Sequence, residues 1–187
     1  MAENLKTTKY NDGTAIPNIT DNVAWAALTT GAYSDYSNTP ANSATYGRLY
    51  NWFTVDNNAA TKVASNGGKN VCPTSWHVPT DAEWTTLTTF LGGEGGAGGK
   101  LKETGTTHWA SPNSGATNET GFTALPGGFR HDNGANDQMK IFGFWWCSTG
   151  RSTSVAWGRS MYYMGALVDR DDFNKHDGLS VRCVRDF

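Results

Sequence analysis

The sequence predicts an α+β domain, with helices in its N-terminal half and short antiparallel strands in its C-terminal half. Three observations carry that expectation. Thr80 and Glu83 form a capping box ahead of Trp84, Leu87 and Leu91, which lie along one stripe of a helix over 80–91 that Gly92-Gly93 stops. Tyr46, Leu49, Tyr50 and Phe53 stand at i, i+3, i+4 and i+7, the apolar face of a helix over 44–55. Beyond them, runs rich in strand formers cover 122–125, 142–148, 155–163 and 179–184.

The remaining elements follow in chain order. Residues 5–10 and the Asn11-Asp12-Gly13 turn read as an opening strand and hairpin, and 21–30 as a short helix carrying Trp25 and Leu28. The glycine run 92–99 reads as a flexible turn; it lacks the Gly-Lys-Ser/Thr element of a phosphate loop. Residues 105–118 form a polar loop that Trp109 pins to the core. In 155–163, alternation sends Val155, Trp157, Arg159, Met161 and Tyr163 one way and Ala156, Gly158, Ser160 and Tyr162 the other. The same rule says that Trp145 and Trp146 cannot both be core, so one of them should border an exposed face.

At 187 residues the chain fits one domain, 1–187. Its apolar share of 37% and charged share of 17% are low, and 8 Trp, 7 Tyr and 8 Phe compensate with large apolar areas, as in loop-rich secreted domains. The net charge of −2, with no basic stripe, leaves nucleic-acid binding without an electrostatic footprint. No stretch is long and apolar enough to insert in a membrane. The segment Met1–Lys6 carries no apolar signal region, so export is expected either from a start behind a signal or by another route.

Cys72, Cys147 and Cys183 make an odd count. Leu179, Val181 and Cys183 alternate onto one face, the expected core face, and Cys72 lies near the apolar Trp76-His77-Val78 segment. Two readings stand: a Cys72–Cys183 bridge, which we favour, or two buried free thiols. Either leaves Cys147 unpaired, as a stray surface thiol.

The segment 143–178 mixes Gly, Arg, Met, Asp, Lys and His between rigid ends, the usual build of a recognition surface. Trp157, Met161, Tyr162, Tyr163, Met164 and Phe173 offer contact area, and Arg151, Arg159, Asp169, Arg170 and Asp171 directional pairs. The competing expectation is that Trp157 and Tyr163 face the core.

Several segments resemble one family: residues 1–13, Tyr46-Gly47-Arg48-Leu49-Tyr50-Asn51-Trp52, Cys72-Pro73-Thr74-Ser75-Trp76-His77-Val78-Pro79-Thr80-Asp81-Ala82-Glu83-Trp84, Gly99-Lys100-Leu101-Lys102-Glu103, residues 121–128 and Ser180-Val181-Arg182-Cys183-Val184-Arg185-Asp186. In this order they resemble the Fibrobacter succinogenes major paralogous domain, common in surface and secreted proteins of Bacteroidetes-like bacteria. The Val-Pro-Thr-Asp-Ala-Glu-Trp element is also similar to a signature of the formylglycine-generating-enzyme superfamily. The resemblance implies a C-type-lectin-like fold: two helices, a twisted antiparallel sheet, and long C-terminal loops forming a ligand surface. It also implies the Cys72–Cys183 pair. Where family members tend to read Trp-Trp-Ser-Ser-Thr-Glu, this chain has Trp145-Trp146-Cys147-Ser148-Thr149-Gly150, and other departures fall on Gly158, Ser160, Met164, Ala166, Leu167 and Asp171. A kept frame with replaced content resembles the variable proteins of diversity-generating retroelements, in which randomised template adenines turn Asn, Ser and Tyr codons into Gly, Asp, His, Arg and Cys.

The expected function is therefore non-catalytic: a receptor or adhesin domain at the outside of a cell or on a cell or phage surface, binding a protein or glycan. The expected ligand-binding residues are Trp146, Cys147, Gly150, Arg151 and Trp157, then Gly158, Ser160, Tyr162, Met164 and Ala166, and finally Asp169, Asp171, Phe173, Lys175 and His176. The alternative is a non-diversified structural or carbohydrate-associated module of a bacterial surface lipoprotein. Catalysis is disfavoured, because copper-dependent oxidase chemistry needs a pair of reactive cysteines and nothing places His131 or His176 beside Cys147. No cofactor is expected. Asp169, Asp171, Asp172 and Asp177 would suit a structural calcium, but a solvated acidic turn is preferred, and Ser111-Pro112-Asn113 lacks the sugar-binding calcium motif of C-type lectins. His77 and His108 read as framework residues, their spacing matching no metal signature.

Overall fold

A computed structural model describes residues 1–56 and 67–186 and has the expected α+β character, with curled antiparallel sheets and few helices. Its helices are α1 (Asn22–Ala26), α2 (Pro40–Tyr46), α3 (Trp52–Val55), α4 (Asp81–Phe90) and α5 (Glu94–Leu101). Strands β1 (Tyr33–Ser34), β2 (Leu49–Asn51), β9 (Gly178–Leu179), β4 (Phe129–Arg130) and β5 (Asn136–Asp137) form one sheet in that spatial order. Strand β3 (Trp76–His77) pairs with β10 (Val184–Arg185), and β6 (Phe142–Gly150), β7 (Val155–Tyr162) and β8 (Val168–Asn174) make a three-stranded meander. Among the described residues no helix is long and apolar enough to cross a membrane.

The capped helix forms as its sequence dictates. The Thr80 side chain accepts from the Glu83 amide, Glu83 reaches back to the Thr80 amide, and Trp84 is buried. The continuous helix expected over 44–55 does not form. Gly47 takes φ +83°, and a β-carbon there would lie 2.6 Å from Asn4 Cβ, so α2 stops at Tyr46. Leu49–Asn51 then pairs with β1 and β9, and the Asn51 side chain caps α3. Tyr46, Leu49 and Tyr50 are all buried, but by different elements, so helical spacing arose without a helix.

Other expectations are corrected more locally. The helix over 21–30 shrinks to α1, capped by Asp21. The opening hairpin keeps its turn but only a Lys9–Ala15 bridge, while Leu5 donates instead to the Val181 carbonyl. Residues 122–125 form no strand; Ala124 bridges Lys102. The 179–184 run divides into β9 and β10. The glycine run is α5 rather than a flexible turn, with only Gly92 and Gly93 turning, at φ +97° and +98°. The helix is glycine-rich for a steric reason: a β-carbon at Gly98 would meet Leu167 O at 2.4 Å, and one at Gly99 would meet Gly115 O at 2.3 Å.

The meander has a core on each face. Phe144, Trp146 and Ala156 join Tyr50, Trp52, Val55 and Leu179 on one side, while Trp145, Cys147, Met161 and Val168 join Trp84, Leu101 and Trp109 on the other. Trp145 and Trp146 are therefore both fully buried, correcting the expectation that one borders an exposed face. Each indole finds an acceptor, Asn4 Oδ1 at 2.9 Å for Trp145 and Tyr50 O at 2.7 Å for Trp146. Cys72 and Cys183 are bridged, with Cα atoms 5.9 Å apart, beside Val181 and Leu179 in the first core.

Candidate functional site

The middle of 143–178 is more regular than its composition suggests, because β7 and β8 run through it in continuous register. Across the meander Phe142 faces Tyr162; Phe144 faces Ser160, which faces Asp169; Trp146 faces Gly158, which faces Asp171; and Ala156 faces Phe173. Directly opposed residues share a face. The sheet thus gathers Trp146, Gly158, Ser160, Tyr162, Asp169, Asp171 and Phe173 on one side.

They are not equally available. Trp146, Gly158 and Ser160 are buried, whereas Tyr162, Asp169 and Phe173 are half-buried and Asp171 is exposed. Phe173 folds over the strand: a β-carbon on Gly158 would lie 2.7 Å from its ring, which meets Phe144 at 5.6 Å and Trp146 at 6.1 Å, both edge-on. Phe142 stacks on Tyr162 at 4.5 Å and on Phe144 at 5.3 Å; Phe129 joins at 4.9 Å from Phe144, with His131 4.2 Å beyond. Phe142 and Phe129 complete this aromatic row, although neither was an expected site residue. Strand alternation with Tyr162 could have found Phe142, but Phe129 lies on a two-residue strand with no periodic signal. Burial raises the Asp169 carboxyl above its ordinary value, and Asp171 and Glu94 add to the effect.

The turn after β7 is held from below. Lys102 is buried and donates to Ser114 O, Tyr162 O and Gly165 O at 3.0, 3.0 and 2.7 Å, and burial lowers its ammonium to about 8. Met164 is 55% exposed at the turn and its sulfur accepts from the Tyr162 hydroxyl at 3.4 Å. Ala166 instead packs against the glycines of α5, with its carbonyl on the Gly99 amide.

The other expected residues lie elsewhere. Trp157, on the opposite face, is flanked by Arg170 at 3.6 Å and Arg151 at 4.7 Å. Arg151 pairs with Asp172, and Arg170 bonds both oxygens of Asp81. Arg159 is buried against Asp81 and cannot serve a surface. Cys147 is buried as well, correcting the expectation of a surface thiol; burial pushes it up to about 12 despite Arg159 Nη1 at 3.7 Å. Gly150 is exposed near Trp52 and Lys175, whose ammonium sits 4.2 Å from the Trp52 ring centre and donates to Ser152 O. His176 meets Phe53 edge-on at 5.1 Å.

The four aspartates weighed for calcium do not converge. Asp169 and Asp171 share the aromatic face, Asp172 points the other way to Arg151, and Asp177 is buried. Asp177 accepts from the amides of Asp132 and Asn174 at 2.9 and 3.0 Å, and burial, helped by Asp132, pushes its carboxyl up to about 6. No cluster of three His, Cys, Asp or Glu residues suited to a metal occurs among the described residues. His77 bridges Asp186 and Glu83 at 2.5 and 2.8 Å, and His108 bonds Glu103, both in framework roles.

A search of curated proteins and a search of solved structures each returned no match. The model of the Fibrobacter succinogenes major domain matches residues 1–185, nearly the full length of the described fold. The chain belongs to that family.

Proposed function

We propose that this is a non-catalytic ligand-binding domain of receptor or adhesin type, on a C-type-lectin-like scaffold displayed outside the cell or on a cell or phage surface. The observation that carries the reading is the convergence of Phe142, Tyr162, Phe173, Asp169 and Asp171 on the accessible part of one doubly buttressed sheet face. Half-exposed rings on a rigid base give contact area at little entropic cost, and carboxylates beside them give direction. The Cys72–Cys183 bridge fits an oxidising compartment. A thiol held protonated in the core, as Cys147 is, supports a reading without nucleophilic catalysis.

Any diversification belongs at the accessible positions, Tyr162, Met164, Asp169, Asp171 and Phe173. The burial of Trp146, Cys147, Gly158 and Ser160 favours the second reading, a non-diversified module of a bacterial surface lipoprotein. A template repeat near the gene, differing only at adenines under the accessible positions, would establish the first; the lack of such a repeat would leave the second. Binding is tested on glycan and protein arrays with the wild type and with Tyr162→Ala and Phe173→Ala. We expect each substitution to weaken a genuine ligand by about tenfold or more, with the circular dichroism spectrum retained. Hits that ignore both substitutions would move the site elsewhere.

A further inference from the structure

An apolar groove that shares no residue with the meander face runs between α4 and β10. Its deeper part, about 280 Å³, is lined by Trp76, Pro79, Trp84, Leu87 and Phe122, with Arg185 among its polar residues. It continues past Leu87 and Val184 to Phe90, which is 85% exposed. An exposed phenylalanine at the end of an apolar trough is costly in water and unexplained by the fold.

Three features specify an occupant. First, among the described residues β10 pairs with β3 on one edge, while the Cys183 carbonyl just before it accepts from the Met1 ammonium at 2.9 Å. Asp186 donates to Ser75 O, so Arg185 and Trp76 form the intervening non-hydrogen-bonded pair, and the Arg185 amide and carbonyl point away from β3. Second, Trp76, Pro79, Trp84, Leu87 and Phe122 make the trough apolar, and the indole nitrogen of Trp84 is buried beneath its surface. Third, Arg185 is exposed and has no ion pair among the described residues, whereas Glu83 at the same rim is held by Thr80 and His77. A free edge wants main chain, the trough wants apolar side chains, and the rim wants an anion.

We propose that this groove binds an extended segment of a partner protein in which apolar and acidic residues alternate, added as a strand to β10. Its apolar side chains would fill the trough over Trp84 toward Phe90, its main chain would bond the Arg185 amide and carbonyl, and an acidic side chain would meet the Arg185 guanidinium.

The probe is a terminally blocked hexapeptide of alternating valine and glutamate, titrated into the 15N-labelled domain. The indole N–H resonance of Trp84 is identified by its loss in Trp84→Phe. We expect that resonance to shift with peptide at about 1 mM or below. Phe90→Asp, at an exposed position where folding is safe, should weaken binding by about tenfold or more. Arg185→Glu should transfer preference to the valine–lysine peptide. No shift of the Trp84 resonance, or a charge preference unchanged by Arg185→Glu, overturns the proposal. So does a response to dodecanoate but not to peptide, which would make the groove an acyl pocket. Because the residues are distinct, failure here leaves the meander reading intact, and failure of Tyr162→Ala to affect array binding leaves this one intact.

Discussion

Cys147 shows how little a residue's chemistry says before its neighbours are known. As the third cysteine it invites a reactive role, but it sits on the core side of β6 among Trp145, Met161 and Val168. Its folded-state ionisation is raised to about 12, so the native protein holds the thiol proton longer than the unfolded chain does. The resulting contribution to stability is complete below the ordinary thiol value and is lost as pH rises toward 12. At pH 8 an aromatic disulfide reagent should therefore leave the native protein unlabelled, and should label the single free cysteine once the non-reduced protein is unfolded in guanidinium. Rapid labelling of the native state would refute this burial. Gly158 teaches the same lesson, since the Phe173 ring occupies the space its side chain would need.

At the scale of elements, α5 is a helix chosen for thinness. Its glycines are poor helix formers, each costing about 1 kcal/mol against alanine. Two of them nevertheless let the β7–β8 turn approach the helix backbone. The contrast can be measured within one helix. Gly96 has open space where a β-carbon would stand, so Gly96→Ala should stabilise by up to about 1 kcal/mol in chemical denaturation. Gly98→Ala places a methyl group 2.4 Å from Leu167 O and should destabilise by about 1–3 kcal/mol despite its better propensity. Equal effects would show that the turn yields. Local signals of this kind decide which elements could be read beforehand. The capping box of α4 is written within four residues, and the structure honours it. The stripe Tyr46, Leu49, Tyr50 and Phe53 looked equally clear but reflected burial by partners far away in sequence, such as Leu179 opposite Tyr50. The aromatic face was half legible: alternation grouped Gly158, Ser160 and Tyr162. Asp169, Asp171 and Phe173 were expected at the ligand surface, but only the register with β8 sets them on the same face, and only the second core shows that Trp145 and Trp146 are both inside.

At the scale of the whole molecule, the bridge from Cys72 to Cys183 spans 111 residues and encloses α4, α5 and the entire meander. In the chain-entropy model, closing a loop of that size constrains the unfolded state by about 4–5 kcal/mol. The double variant Cys72→Ala/Cys183→Ala should lose most of that and melt well below the wild type by calorimetry; an unchanged melting temperature would assign the stability to the two cores alone. The bridge joins the middle of the chain to the strand beside the α4 groove, so both candidate surfaces hang from one covalent frame. The meander that carries the first candidate surface also ends in an open strand, since among the described residues β8 pairs with β7 alone. Asp169, Arg170, Asp171 and Asp172 stand consecutively on that strand. A second molecule offering its own β8 side by side would bring carboxylate against carboxylate, and the charges would have to be stripped of water to pair. This charged hem on the open edge of the meander therefore works against edge-to-edge pairing between copies of the chain.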